Sequence, residues 1–147
     1  ALRRLISSAD TEQDGSLDAV TDLGGLLRRF ESDRVALSLP ATTVHLDAGV
    51  AAEIVAATDN VLTNVDRHAG PGARAFVLLE DLGDTVVVSI RDDGSGIAPG
   101  RLAQAAGEGR VGVSKSIRGR MQALGGEAVL TTSEGGGTEW ELTVPRR

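Results

Sequence analysis

Apolar residues recur at Leu17, Val20, Leu23, Leu26, Leu27 and Phe30. This 3.6-residue spacing predicts a helix that Ser16 can cap. The period then shortens: Val35-Ala-Leu-Ser-Leu39 alternates and stops at Pro40, which predicts a short strand. Residues 43–46 form a weaker strand-like piece. Asp47 can cap a long helix over about 48–68, with Val50, Ile54, Val55, Val61, Leu62 and Val65 on one side and Glu53, Asn60, Asn64 and Arg67 on the other. Gly70-Pro-Gly72 ends it. Residues 75–81 and 85–91 read as a hairpin around Leu82-Gly83-Asp84. Residues 92–111 are glycine-rich and carry no clean period. A third helix over 112–124 stops at Gly125-Gly126, a common C-terminal arrangement. Residues 127–132 and 138–144 make a second hairpin around Gly135-Gly-Gly137.

The order helix, strand, helix, strand, strand, loop, helix, strand, strand predicts an α+β fold. Hairpins imply a mixed, mostly antiparallel sheet, and the three amphipathic helices need one of its faces, giving a two-layer α/β sandwich. Residues 16–147 form this domain. Residues 1–15 open with Ala1-Leu-Arg-Arg-Leu-Ile6 and turn polar, which reads as the end of a linker helix from a preceding region.

Composition narrows the function. A chain of 147 residues suits one domain, and 41% hydrophobic content excludes a disordered tail. No apolar run reaches the roughly 20 residues that span a bilayer, and the opening residues show no charged n-region followed by an apolar h-region, so no signal-peptide pattern is visible in them. Cysteine is absent, which removes disulfides and thiolate chemistry and fits a reducing compartment. A net charge of −6 and only three aromatic residues, Phe30, Phe76 and Trp140, argue against nucleic acid as a partner. Glycine is in excess, and 12 of the 19 glycines lie between Gly94 and Gly137. Glycine is costly inside helices and strands, so this stretch implies turns or close backbone approach to a ligand.

Four clusters carry candidate chemistry. Asn60 and Asn64 are four apart and share a helix face. Their amide oxygens suit Mg²⁺, and Arg67 could grip a phosphate, although the same face also reads as solvated surface. Asp92-Asp-Gly-Ser-Gly96 follows an apolar strand; a carboxylate there suits an exocyclic amine, while the motif alone is a turn. Gly107-Glu-Gly-Arg-Val-Gly112 opens a helix whose first turn adds Ser114, Lys115 and Ser116, an arrangement that favours an anion. It is neither a P-loop nor a dinucleotide fingerprint. Gly135-Gly-Gly-Thr138 precedes the last strand and by itself is a hairpin turn.

Together, in this order and spacing, the clusters closely resemble the asparagine, glycine and glycine–threonine boxes of the GHKL (Bergerat) nucleotide-binding fold, which includes histidine kinases, type II topoisomerases, mismatch-repair ATPases and chaperone ATPases. Ile117-Arg-Gly-Arg-Met121 looks like the corresponding helix in sensor kinases of the nitrate/nitrite type, and Leu2-Arg-Arg-Leu-Ile6 looks like the end of their dimerisation helix.

The resemblance implies a catalytic domain that binds ATP and Mg²⁺ and passes the γ-phosphoryl group to a histidine. By that likeness Asn64 holds Mg²⁺ and Asn60 assists it or positions water, while Arg67 and His68 face the phosphates. Asp92 accepts from the adenine amine, with Gly94, Gly96 and Ile97 shaping the base pocket. Gly107, Gly109, Val111, Gly112, Val113 and Ser114 approach the triphosphate, and Thr138 supports the adenine end. With no aromatic ring to stack, base recognition would rest on Asp92 and aliphatic walls. Kinases of the nitrate-sensor type usually carry Glu where this chain has Asn60, and an amide cannot act as a base. The implied partners are the chain's own dimerisation and histidine-bearing domain and a response regulator. The implied parent is a homodimeric, membrane-bound bacterial sensor with this domain in the cytoplasm. Neither His45 nor His68 is placed as an acceptor, so the chain alone is expected not to phosphorylate itself. The alternatives are an anti-sigma-factor-type serine kinase of the same fold and a nucleotide-binding or docking module with weak catalysis.

Overall fold

The computed structural model describes residues 20–68, 72–94, 110–132 and 137–146. In chain order the elements are β1 (Val20–Asp22), α1 (Leu23–Leu27) with a 3-10 turn over Arg28–Phe30, β2 (Val35–Ser38), β3 (His45–Asp47), α2 (Ala48–His68), β4 (Ala75–Asp81), β5 (Thr85–Asp92), α3 (Arg110–Ala123), β6 (Glu127–Thr132) and β7 (Thr138–Pro145).

Local chemistry accounts for most boundaries. The Asp47 carboxylate accepts from the N–H groups of Gly49 at 3.0 Å and Val50 at 3.3 Å. It thereby caps two of the donors that the first turn of α2 leaves free. At the end of α3, the Gly126 N–H donates to the Met121 carbonyl at 2.9 Å and the Gly125 N–H to that of Gln122 at 3.0 Å. This paired closure satisfies the last carbonyls. The β4–β5 hairpin closes with the Leu82 N–H on the Thr85 carbonyl at 2.9 Å.

The main sheet has the order β2-β4-β5-β7-β6, with β2 parallel to β4 and the other pairs antiparallel. The helices cover one face. Leu23 and Leu27 of α1, Ile54, Ala57 and Val61 of α2, and Ile117 and Met121 of α3 are buried against Val77, Leu79, Val86, Val88, Ile90, Trp140, Leu142 and Val144 of the sheet. Each large side chain so buried contributes about 1.5–3 kcal/mol. This is the predicted two-layer α+β sandwich. Among the described residues no helix is long and apolar enough to cross a membrane.

The N-terminal helix is shorter than its periodicity predicts. Val20, placed on its apolar stripe, instead lies in β1, which pairs antiparallel with β3. Val20 and Thr21 are β-branched and favour extended backbone, while Gly24 and Gly25 weaken a helix. β3 supplies the hydrogen-bonding edge, and the Leu23 N–H continues the contact to the Val44 carbonyl at 2.9 Å. The weak strand predicted at 43–46 falls at His45–Asp47, and α3 starts at Arg110, two residues before the predicted start.

Candidate nucleotide site

Side chains alternate along β5, so Val86, Val88, Ile90 and Asp92 all point to the helix-covered face and all are buried. The last of them is a carboxylate. Asp92 is 5% exposed, and its Oδ1 accepts from the Gly94 N–H at 2.8 Å. Thr138, the first residue of β7, stands opposite it in register, and the Thr138 N–H also bonds to the carboxylate. Among the described residues no lysine or arginine pairs with it. Burial pushes the Asp92 carboxyl above the usual aspartate range; the two backbone N–H groups pull it partly back, and the charge of Asp93 adds to the rise.

Asp93 takes the opposite side of the strand. Its N–H donates to the Arg74 carbonyl at 3.0 Å and its Oδ1 accepts from the Arg74 N–H at 2.7 Å. The first aspartate of the pair therefore faces the interior, while the second ties the end of β5 to the segment before β4.

Gly137 closes the other side of Asp92. It sits at φ +80°, and a Cβ there would lie 2.2 Å from the Asp92 carbonyl oxygen. Its carbonyl accepts from the Thr132 hydroxyl at 3.2 Å, and that hydroxyl lies 3.1 Å from the one on Thr138. The glycine–threonine pair thus seats β7 against the end of β5, bringing Asp92, Gly94 and Thr138 together.

Asn60 and Asn64 lie half-buried on α2, and Arg67 and His68 fall in its last turn. Val111, Gly112 and Val113 begin α3, followed by Ser114, whose Oγ accepts from Arg118 Nε at 3.3 Å. Gly96, Ile97, Gly107 and Gly109 lie outside the described residues.

Two features escaped the sequence reading. Arg118 donates from Nη1 to the Ala128 carbonyl at 3.2 Å and stands 5.4 Å from the Trp140 ring centroid, pinning α3 to β6 and β7. Arg120 pairs with Glu53 of α2 at 2.7 Å. The sequence signal was the arginine pair set between Ile117 and Met121, whose burial turns α3 so that its arginines reach neighbouring elements.

Residues 49–147 match the family described as histidine kinase-, DNA gyrase B- and HSP90-like ATPases. The chain belongs to this family. Its members are ATP-binding domains, and the Asp92–Thr138 corner of this ATPase-family domain is the candidate base site. No curated protein matches the chain. Among solved structures, the ATP-binding domain of PrrB from Mycobacterium tuberculosis is 24% identical, with a TM-score of 0.66 and coverage of 88% of this chain and 97% of that one. The histidine kinase domain of the blue-light-activated kinase from Erythrobacter litoralis is 24% identical with a TM-score of 0.64, and 85% of this chain covers 61% of it. The histidine kinase domain of the E. coli osmosensor EnvZ is 17% identical with a TM-score of 0.62, covering 87% and 88%. At these identities the likeness establishes the shared fold. The chain spans 61% and 39% of the two Erythrobacter structures.

Proposed function

We propose that this ATPase-family domain binds ATP with Mg²⁺ and serves as the catalytic domain of a two-component sensor histidine kinase, in the cytoplasmic part of a dimeric bacterial sensor. The observation that carries the base assignment is Asp92: a buried carboxylate, without a cationic partner among the described residues, at the end of a strand. Burying an unpaired carboxylate is unfavourable unless hydrogen bonds compensate, and such groups concentrate at functional sites. An adenine amino group is a donor that Asp92 can accept. For the metal, no three of His, Cys, Asp and Glu gather among the described residues. The amide oxygens of Asn60 and Asn64 fit Mg²⁺, which keeps several waters and shares its sites with phosphates. When bound, the nucleotide supplies the γ-phosphoryl group for a histidine nitrogen.

The chain's own part is positioning and charge neutralisation. Asp92 fixes the base, Asn60 and Asn64 face the metal, and Arg67, His68 and the start of α3 face the phosphates. Asn60 cannot take a proton, so either the acceptor histidine's own neighbours activate it or Asn60 limits the chemistry and activity is low. The sequence Ile117-Arg-Gly-Arg-Met121 supports the nitrate-sensor type and a response-regulator partner. Incubation with γ-labelled ATP tests the reading: label should pass to a histidine on an added dimerisation-domain fragment and not to this chain alone. Label on this chain alone, or on a serine of a partner, would overturn it.

A further inference from the structure

Glu53 and the two asparagines lie on one stripe of α2. At about 100° per residue, the seven residues from Glu53 to Asn60 and the eleven to Asn64 come back to within about 20° of the same direction. The stripe therefore carries the proposed metal-facing amides toward its end and a carboxylate two turns before them. That carboxylate is held: Arg120 Nη1 of α3 donates to Glu53 Oε1 at 2.7 Å. Of the two ion pairs among the described residues, this is the one that joins two helices.

Three observations make the pair more than a solvated contact. The Arg120 guanidinium is partly shielded: its Nε is buried among its neighbours while its Nη1 reaches Glu53. Ile117 and Met121, which flank Arg120 on α3, are both 0% exposed, so α3 cannot rotate to release the pair without disturbing the core. The two joined helices also carry the two halves of the proposed phosphate site: Asn60 and Asn64 on α2, and Val111 to Ser114 on α3. Apolar packing tolerates small slides of one helix on another, whereas a 2.7 Å charge-assisted bond selects one offset.

We propose that Glu53 and Arg120 are positioning residues that set the offset of α3 against α2, and through it the nucleotide affinity of the site. This rests on the ATP-binding reading and adds to it a pair that touches no ligand. Half-exposed pairs of this kind add little to stability, so the effect should show in binding more than in melting.

The test measures ATP affinity by calorimetry on this chain, with Mg²⁺ present, alongside thermal melting. Glu53→Gln and Arg120→Gln should each weaken binding about three- to fivefold, and the exchange Glu53→Arg with Arg120→Glu should recover most of it. The control is the other ion pair, Arg146 with Asp81, which has the same 2.7 Å length and lies at the hairpin end of β4. Asp81→Asn should leave affinity unchanged. Equal affinities for wild type and both single variants would overturn the inference alone. So would a loss matched by Asp81→Asn, or an exchange that fails to recover binding while melting normally. A wild-type chain that binds no ATP would overturn the functional reading and this inference with it.

Discussion

The backbone carbonyl of Asp92 occupies the space that a side chain on Gly137 would need, with only 2.2 Å between that oxygen and a Cβ built on the glycine. Gly137→Ala combines this clash with a left-handed backbone angle, so it should destabilise the fold by about 2–5 kcal/mol. Gly83→Ala separates the two effects. Gly83 has φ +92° but nothing within 4 Å of its Cβ position, so the cost there should be about 1–2 kcal/mol. Urea unfolding of both variants measures the difference.

Asp92→Asn keeps an oxygen that can accept from the Gly94 N–H but presents an amide where a carboxylate stood. The fold should remain, and ATP affinity should fall about 10- to 100-fold, the worth of a hydrogen bond to a charged group. Calorimetry decides it; an unchanged affinity would refute the base assignment.

The raised pKa of Asp92 has a definite sign in stability. The folded chain holds that proton to higher pH than the unfolded chain, which releases it near the ordinary value of 3.8. The contribution of Asp92 is therefore greatest below 3.8 and is lost as pH rises through its raised value. Unfolding midpoints of wild type and Asp92→Asn, compared across this range, should show the wild type losing ground to the variant as pH increases. ATP affinity should move the other way, rising as Asp92 ionises.

Asn64→Ala should remove the dependence of ATP affinity on Mg²⁺, read by titration with and without the metal. Asn60→Glu should raise phosphoryl transfer to an added histidine-bearing domain in a labelling assay. No gain would count against Asn60 as the limit on the chemistry.

Asp47→Ala removes the cap on α2. The loss should be about 1 kcal/mol, seen as a melting point lower by a few degrees.

The sheet and its helices were legible because their residues act locally. Asp47 caps where the sequence placed a cap, Leu82-Gly83-Asp84 turns where a turn was predicted, and Gly125-Gly126 closes α3. Val20 was misread because helical spacing cannot reveal that β3 offers a partner edge 27 positions along, at Asp47. In the candidate site, the sequence singles out Asp92 behind an apolar run, and the structure makes it the buried last residue of β5. The space at Gly137 and the reach of Arg120 to Glu53 were not legible, since both depend on contacts between distant segments. The motif order carried the family, which the match over residues 49–147 then established.

The pairing of Asp92 with Thr138 joins positions 46 apart in the chain. The β4–β5 and β6–β7 hairpins close over short connections, whereas β5 meets β7 only across a stretch that holds α3 and β6, and non-local pairings of this kind cost more loop-closure entropy. A β5 not yet paired with β7 would leave Asp92 without Thr138 opposite it and Val86-Val-Val-Ser-Ile90 as an open apolar edge able to pair with other chains. On the proposed reading, a nucleotide that binds only the paired state would stabilise that pairing and draw the chain away from aggregation.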